Sequence, residues 1–558
     1  MVSRRNFLAS TVGATSLLSS PPAKRPNIVL CVSDDQGYGD LSSHGNPNLR
    51  TPNIDRIADE GAEFTQFLVN PVCSPTRASL MTGRYYYRTG VVDTYLGRSM
   101  MHHDEITIAE TLRTSGYRTG IFGKWHLGDH YPLRPTEQGF EEALIHEGGG
   151  IAQPSDPPDG NSYFNPKLMH NGKREQRNGY CTDIFFDGAL DFITKNKDHS
   201  FFAYIATNAP HVPLQVADTY VEPFRKQGLD ETTAKTYGMI ANLDENVGRL
   251  LSHVKKQGVE DNTIVIFMSD NGPTPARFNC GMRGLKGSVY EGGLRVPFFV
   301  RWPSVIKPGM KIDKLAAHID VFPTLLQATG AIRPAARPVA AQIDGKSLCP
   351  LFNDSKPAWS ERTLFFQWHR GERAELYNNC AAREQRYKLV NGRELYDLQE
   401  DPAESKDISA AQPERVASMR AAYEEWFKDV SETRDFEPPL IFLGTLFENP
   451  VLLTRQDWRG PKASWSDDGL GYWEVDVKNS GAYECSLIFP AAASSGTAWL
   501  SLGSAQGEVS IPAGATSVKI ALPHVKHGAT RLEASLTFAG KPAVGPHYAS
   551  VRHYPSAS

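Results

Sequence analysis

Along the first half of the chain, short apolar runs recur and each stops at polar side chains. Residues 27–32, with Ile28-Val29-Leu30-Cys31-Val32 unbroken, have the pattern of a strand covered on both faces and end in Ser33-Asp34-Asp35. Thr119-Gly120-Ile121-Phe122-Gly123 runs into Lys124-Trp125-His126, and residues 201–207 run into Asn208-Ala209-Pro210-His211. Residues 263–268 repeat the form and stop at Ser269-Asp270-Asn271. Helical periodicity lies between these runs, as at 54–61 and 241–254. The alternation predicts an α/β domain with a mostly parallel sheet flanked by helices, and a ligand crevice beyond the carboxyl ends of the strands.

Downstream, residues 298–302 read as a further strand and 320–326 as the start of a helix. A small α+β subdomain over 331–430 ends in an amphipathic helix with Val416, Met419, Tyr423, Trp426 and Phe427 on one face, a packing pattern rather than a ligand box. Residues 431–439 are polar and proline-bearing, as in a linker. The period then changes to two: Trp473, Val475 and Val477, then Tyr483, Cys485, Leu487 and Phe489, then Val518, Ile520 and Leu522, then Leu532, Ala534, Leu536 and Phe538. A β-sandwich is expected over 440–558, loosely similar to jelly-roll carbohydrate-binding modules. Sugar binding and a packing or oligomerisation role both remain open for it.

At 558 residues the chain exceeds one hydrophobic core, so several domains are expected. The 59 Lys and Arg against 63 acidic residues, with no long run of one sign, give no case for nucleic acid or an anionic membrane as partner. Ser3-Arg4-Arg5-Asn6-Phe7-Leu8 and the mildly apolar stretch after it have the order of a twin-arginine export signal over 1–23, against the alternative of a frayed basic tail. The mature chain is then 24 onward and periplasmic or extracellular. No other run is long and apolar enough to span a bilayer. The seven cysteines are scattered and demand no disulfide framework.

Taken singly, Asp34-Asp35 is more often a turn and helix cap than a metal site, Asp270-Asn271-Gly272 is an ordinary turn, and Lys124 and Lys286 are ordinary surface charges. Their shared position at strand ends changes the reading. Three carboxylates and an amide oxygen suit Ca²⁺, with Mg²⁺ possible, whereas zinc usually brings His or Cys. In the segment 71–84, Ser74 can serve as N-cap, Pro75 fits the first helical position and Gly83 can end the helix. Cys73 is then expected at a helix N-terminus, where backbone N–H groups and Arg77 one turn on favour an anion.

Cys73-Ser74-Pro75-Thr76-Arg77, followed by Leu80-Met81-Thr82-Gly83, resembles the first signature of the formylglycine-dependent sulfatases of the alkaline phosphatase superfamily. Residues 116–127, Gly-Tyr-Arg-Thr-Gly-Ile-Phe-Gly-Lys-Trp-His-Leu, resemble the second. The likeness continues through Asp34-Asp35, Asn208-Ala209-Pro210-His211, Asp270-Asn271-Gly272, Lys286-Gly287 and Leu395-Tyr396-Asp397-Leu398, and covers roughly 26–427. It implies an alkaline-phosphatase-like catalytic domain over 24–330 and oxidation of Cys73 to formylglycine (3-oxoalanine) by a formylglycine-generating enzyme. Asp34, Asp35, Asp270, Asn271 and residue 73 would then hold the cation. One hydroxyl of the hydrated aldehyde would attack sulfur and the second would let sulfate leave, a release that serine could not perform. Arg77 would support residue 73, Lys124 and Lys286 would hold sulfate oxygens, His211 would be the general acid and His126 the base.

Two other classes stand beside the sulfatase reading. Formylglycine-dependent phosphonate or phosphate ester hydrolases resemble this chain around residue 73 but place histidine where Asn271 stands. A non-catalytic glycan-binding homologue would not need the complete residue set. Export and a sandwich favour a sulfated carbohydrate over a small aryl sulfate as substrate. Since every candidate residue precedes 439, removing the sandwich is expected to spare turnover of a small aryl sulfate.

Overall fold

The computed structural model describes residues 25–335, 338–353 and 359–555. The export-signal reading of 1–23 lies outside the described residues. Among the described residues no helix is long and apolar enough to cross a membrane.

Strand β1 (Asn27–Ser33) is buried along its whole length, as its unbroken apolar sequence requires. After it come α1 (Pro52–Asp59), β2 (Ala62–Phe64), β3 (Phe67–Leu68), α2 (Cys73–Thr82), α3 (Ile108–Thr114), β4 (Arg118–Lys124) and β5 (Glu142–His146). The hairpin β6 (Lys167–His170) and β7 (Lys173–Gln176) precedes α4 (Cys181–Asn196), β8 (Phe201–Ala206), α5 (Asp218–Lys226), α6 (Glu231–Lys256) and β9 (Thr263–Ser269). Short α7 (Glu291–Leu294), β10 (Phe298–Arg301), β11 (Met310–Ile312), β12 (Ala316–Ala317) and α8 (Val321–Thr329) complete the first part. Ten of these strands form one sheet in the order β11-β2-β10-β9-β1-β8-β4-β5-β6-β7.

The apolar runs legible in the sequence are its adjacent central strands β9, β1, β8 and β4, all mutually parallel. Strand β10 joins them antiparallel, which makes the sheet mixed. Val32 lies opposite both Ala206 and Met268, so the chain leaves β1, β8 and β9 at the same level and the following residues meet at one edge. Apolar residues of α1, α4 and α6 cover one face of the sheet. Those of α2, α3 and α8 cover the other.

Strands β13 (Leu364–Gln367), β14 (Cys380–Arg383), β15 (Tyr387–Val390) and β16 (Glu394–Asp397) form an antiparallel sheet packed by α9 (Pro413–Glu432). Met419, Tyr423 and Trp426 of the expected apolar face are buried, with Val416 and Phe427 half-buried against the same core. The C-terminal strands are β17 (Ile441–Leu443), β18 (Val451–Thr454), β19 (Arg459–Lys462), β20 (Leu470–Val477), β21 (Gly481–Ile488), β22 (Gly496–Leu502), β23 (Ala505–Ile511), β24 (Ser517–Val525), β25 (Gly528–Phe538) and β26 (Tyr548–Tyr554). They form two sheets, β17-β20-β25-β22-β23 with β19 on β20, and β18-β26-β21-β24. Inward side chains alternate along β20, β21 and β25 as the period of two requires. Their core also takes in Leu96, Met100 and Leu133 from the α/β part. The sandwich is built onto that part through a shared apolar core.

Candidate active site

The site lies where β1, β4, β8 and β9 end. Asp34 and Asp35 follow β1, Lys124 closes β4 with His126 two residues on, His211 follows β8, and Asp270-Asn271 follow β9. Asp35 and His126 turn the chain sharply with φ of 66° and 60°, the left-handed region in which Asp and His are enriched among non-glycine residues. Helix α2 begins at Cys73 itself, because Val72 is extended and acts as N-cap without a side-chain hydrogen bond. This corrects the expectation for Ser74, which is a helical residue. Pro75 is accommodated in the first turn, where its missing N–H has no intrahelical partner to lose. Gly83 closes the helix in the left-handed conformation, as expected.

The charged groups are paired in a compact, buried network. Lys124 Nζ donates to Asp34 Oδ2 at 2.7 Å, and Lys286 Nζ to Asp35 Oδ1 at 2.5 Å. Asn271 Nδ2 donates to the same Asp35 oxygen at 2.8 Å. Arg77 holds Asp270 Oδ2 through Nε at 3.0 Å and Nη2 at 2.7 Å, and its Nη1 donates to the Lys124 carbonyl at 3.1 Å. One guanidinium thereby ties α2 to the ends of β4 and β9.

Asp34 Oδ1, Asp35 Oδ2 and Asn271 Oδ1 are buried and have no hydrogen-bond partner among the described residues. Ligating atoms of Asp34, Cys73 and Asp270 lie within 4.8 Å of one another, as do those of Asp34, Asp35 and His211. Orphaned, acceptor-only oxygens gathered in the dry interior fit a hard divalent cation. Asp35, Asp270 and Cys73 show what this environment does to titration. Burial pushes Asp35 up, but Lys286 and His211 outweigh it and hold its carboxyl well below the usual range. Asp270 is pushed up to about 6 by burial and by Asp34, against Arg77 and Lys124. Burial also pushes the Cys73 thiol up, against Lys124 and Lys286, so an unmodified thiol here is a poor nucleophile.

The two histidines are held in opposite senses. His126 Nε2 meets the Thr94 carbonyl at 2.8 Å, and His211 Nδ1 meets the Val212 carbonyl at 2.6 Å. A carbonyl only accepts, so each of these nitrogens carries the proton. His126 therefore presents a bare, buried Nδ1. His211 presents a bare Nε2, which lies 3.9 Å from Asp35 Oδ2. Burial, reinforced by Lys124, keeps His126 neutral, and burial lowers His211 to about 3 despite Asp35.

Thr94, Gly149, Gly150 and Gln456 were not legible as site residues. A Cβ on Gly149 would sit 2.6 Å from the His126 ring, and one on Gly150 would sit 3.0 Å from the His211 ring, so this bare backbone packs against both imidazoles. The run Gly148-Gly149-Gly150 was the available signal. Gln456, from the sandwich, donates Nε2 to the Thr94 carbonyl at 3.2 Å and to Ser99 Oγ at 3.3 Å. The sandwich thus reaches the wall of the site.

Known proteins share this architecture. The Sulfatase family profile matches residues 26–331, and that of N-sulphoglucosamine sulphohydrolase, C-terminal, matches 285–430. Human (Homo sapiens) arylsulfatase A is 32% identical over 425 residues, covering 70% of this chain and 80% of its own length. N-acetylgalactosamine-6-sulfatase of Rattus norvegicus is 33% identical over 380 residues, covering 62% of this chain and 69% of its own. The crystal structure of Ps i-CgsB in complex with k-i-k-neocarrahexaose superposes with a TM-score of 0.67 at 30% identity, covering 74% of this chain and 94% of that one.

Proposed function

The chain belongs to the sulfatase family of sulfuric ester hydrolases, and from that premise we propose that it hydrolyses sulfate esters of carbohydrates, using a formylglycine at position 73 and a bound Ca²⁺. The observation that carries the proposal is the set of orphaned oxygens of Asp34, Asp35 and Asn271 beside Cys73 and Asp270. Those four residues with residue 73 would hold the cation, and Mg²⁺ meets the same oxygen set. When present, the cation supplies charge neutralisation at the sulfate oxygens, and the hydrated aldehyde of an oxidised residue 73 supplies both the nucleophilic hydroxyl and the means of releasing sulfate.

The remaining work falls to this chain's own groups. Lys124 and Lys286 present ammonium donors on the two sides of the carboxylate cluster, placed for sulfate oxygens and for charge that develops on them. Arg77 fixes Asp270 and the end of β4, and so holds the geometry around residue 73. His126, with Nε2–H committed to Thr94, has Nδ1 free to accept a proton and fits the base of the release step. His211 must take up a proton at Nε2 before it can pass one to a leaving alcohol, and Asp35 beside it favours that charged form.

The carbohydrate assignment draws on the relatives, one of which is an N-acetylgalactosamine-6-sulfatase and another of which holds a neocarrahexaose. Export through the signal at 1–23 belongs to the same reading, since sulfated polysaccharides are met outside the cell. The test is release of inorganic sulfate from a panel of defined sulfated oligosaccharides and from 4-nitrophenyl sulfate by the purified full chain. No release from any of them would remove the proposal.

A further inference from the structure

The mouth of the site is bridged by a segment that no proposed catalytic role uses. Trp368 stands against Gly287, where an added Cβ would lie 3.0 Å from its ring, and so borders Lys286. Its Nε1 donates to Asp93 Oδ1 at 3.0 Å. Arg370 donates to the same oxygen at 2.9 Å and to Thr94 Oγ1 at 3.2 Å. Thr94 is the residue whose carbonyl holds His126. Trp368 and Arg370 therefore span the opening from the Lys286 side to the His126 side.

The surroundings are aromatic and cationic. The Arg370 guanidinium lies 4.4 Å from the Tyr95 ring centroid and 5.0 Å from that of Trp368. Tyr95 meets Trp465 of the sandwich edge-on at 5.3 Å. Arg98 lies 5.9 Å from the Tyr95 ring, with Glu372 at 3.5 Å and Asp93 at 3.9 Å. Glu372 is shared with Arg459 of the sandwich at 3.8 Å. Three guanidiniums, Arg98, Arg370 and Arg459, thus face two carboxylates, Asp93 and Glu372. Asp93 is wholly buried, Arg98 and Arg459 are nearly so, and Glu372 is 39% exposed, so Arg370, at 55%, is the guanidinium presented to solvent. Arg370 commits Nη1 to Asp93 and Thr94, and a guanidinium laid on an aromatic ring keeps its remaining in-plane N–H groups for an oxyanion.

We infer that this mouth is a subsite for a second anionic sugar unit, adjacent to the one whose sulfate ester enters the site. A pyranose ring would lie on the half-buried faces of Tyr95, Trp368 and Trp465, and its sulfate or carboxylate would meet the exposed Arg370. The inference rests on the sulfate-ester reading of the site and adds that the substrate is an oligosaccharide with anionic groups on neighbouring units. The sandwich contributes Trp465 and Arg459 to this surface.

The test is calorimetric binding to the full chain in a Cys73→Ala background, which leaves the probe intact. The probes are a sulfated carrageenan-derived hexasaccharide, its desulfated form, and an unsulfated hexasaccharide of uronate units. The sulfated probe is expected to bind at least tenfold tighter than the desulfated one. Arg370→Ala should weaken it about tenfold, the loss of one charge-assisted contact, and Arg370→Lys should recover part of that. Trp465→Ala should weaken all three probes. Tight binding of the uronate probe would mark carboxylate as an accepted anion. Equal affinity for sulfated and desulfated probes, or wild-type affinity in folded Arg370→Ala, overturns the inference. Turnover of 4-nitrophenyl sulfate by the Cys73 protein is measured separately. Its absence would count against the sulfate-ester reading and leave the binding result standing.

Discussion

Gln456, in a turn of the C-terminal sandwich, donates its Nε2 at 3.2 Å to the carbonyl of Thr94, the same oxygen that takes the Nε2 proton of His126. The two residues also meet through neighbouring backbone, with Gly97 N donating to Gln456 O at 2.8 Å and Arg459 donating to Gly97 O at 2.9 Å.

Gln456 is therefore a positioning residue for His126. Gln456→Ala should lower kcat on 4-nitrophenyl sulfate about fivefold, the worth of roughly 1 kcal/mol for one buried hydrogen bond. It should also shift the pH profile, which a merely structural loss would leave in place. Deletion of 440–558 should cost more, since it exposes Leu96, Met100 and Leu133. A truncated chain with unaltered kcat and pH profile would show that the sandwich does not shape the site.

Arg77 and Asp270 are 1% and 0% exposed. Removing one partner of such a pair leaves a buried, uncompensated charge. Arg77→Ala should therefore lower unfolding stability by about 3–5 kcal/mol as well as abolish turnover. Denaturant unfolding of Arg77→Ala, of Asp270→Asn and of the double variant measures the coupling; a loss under about 1 kcal/mol in Arg77→Ala speaks against the buried pair.

Chelation should abolish activity and lower the melting temperature, with Ca²⁺ or Mg²⁺ restoring both better than Zn²⁺. The reason is the oxygen set of Asp34, Asp35, Asp270 and Asn271. Full activity in metal-free protein, checked by elemental analysis, would eliminate the cation from the account.

In active enzyme the tryptic peptide over 57–77 should carry an aldehyde at position 73, lighter than the encoded peptide by sulfur and two hydrogens offset by one oxygen, and should react with a hydrazide. Cys73→Ala should lose essentially all turnover. Cys73→Ser should stop after one transfer, with sulfate on the introduced hydroxyl, because no second hydroxyl can expel it. A fully active preparation with only cysteine at 73 sinks the formylglycine mechanism.

His130 joins the two parts of the chain electrostatically, with Glu448 Oε1 at 3.2 Å and Asp457 Oδ2 at 3.2 Å. Burial opposes its charged form, but these carboxylates outweigh burial and hold it well above its ordinary value. Nearby Asp129 is pushed up to about 8 by burial, Asp457 and Glu147, and Arg134 stands 4.0 Å from Glu448. A raised histidine contributes stability in full below its unfolded value of about 6.5 and loses it as pH rises through the folded value. Ionisation of Asp129 acts in the same direction up to about 8. The melting temperature should fall gently from about pH 4 through Asp129 and more steeply from about pH 6.5, and His130→Gln should flatten the steeper part. An unchanged slope in the variant would discharge His130 from this role.

Much of the site could be read locally because its chemistry is carried by side chains at the ends of apolar strands. Ile28 to Val32 must be covered on both faces, so Asp34 and Asp35 fall at the crevice wherever the neighbouring strands lie. The segment from Cys73 to Gly83 likewise states its own helix, although the helix starts two residues earlier than an N-cap at Ser74 indicated. In the sandwich, β20, β21 and β25 announce themselves by large alternating apolar residues, whereas β23, with Ala505, Gln506, Gly507 and Ser510, does not. What only the tertiary structure decided is the wall around those groups. Thr94 acts through a backbone carbonyl, which no residue type encodes, and Gln456 reaches it across 362 positions of sequence. Tyr95 and Trp465 meet only because Leu96, Met100 and Leu133 are buried in the sandwich core. Strand-end chemistry follows from local pattern, while histidine placement and the mouth of the site follow from how two cores merge.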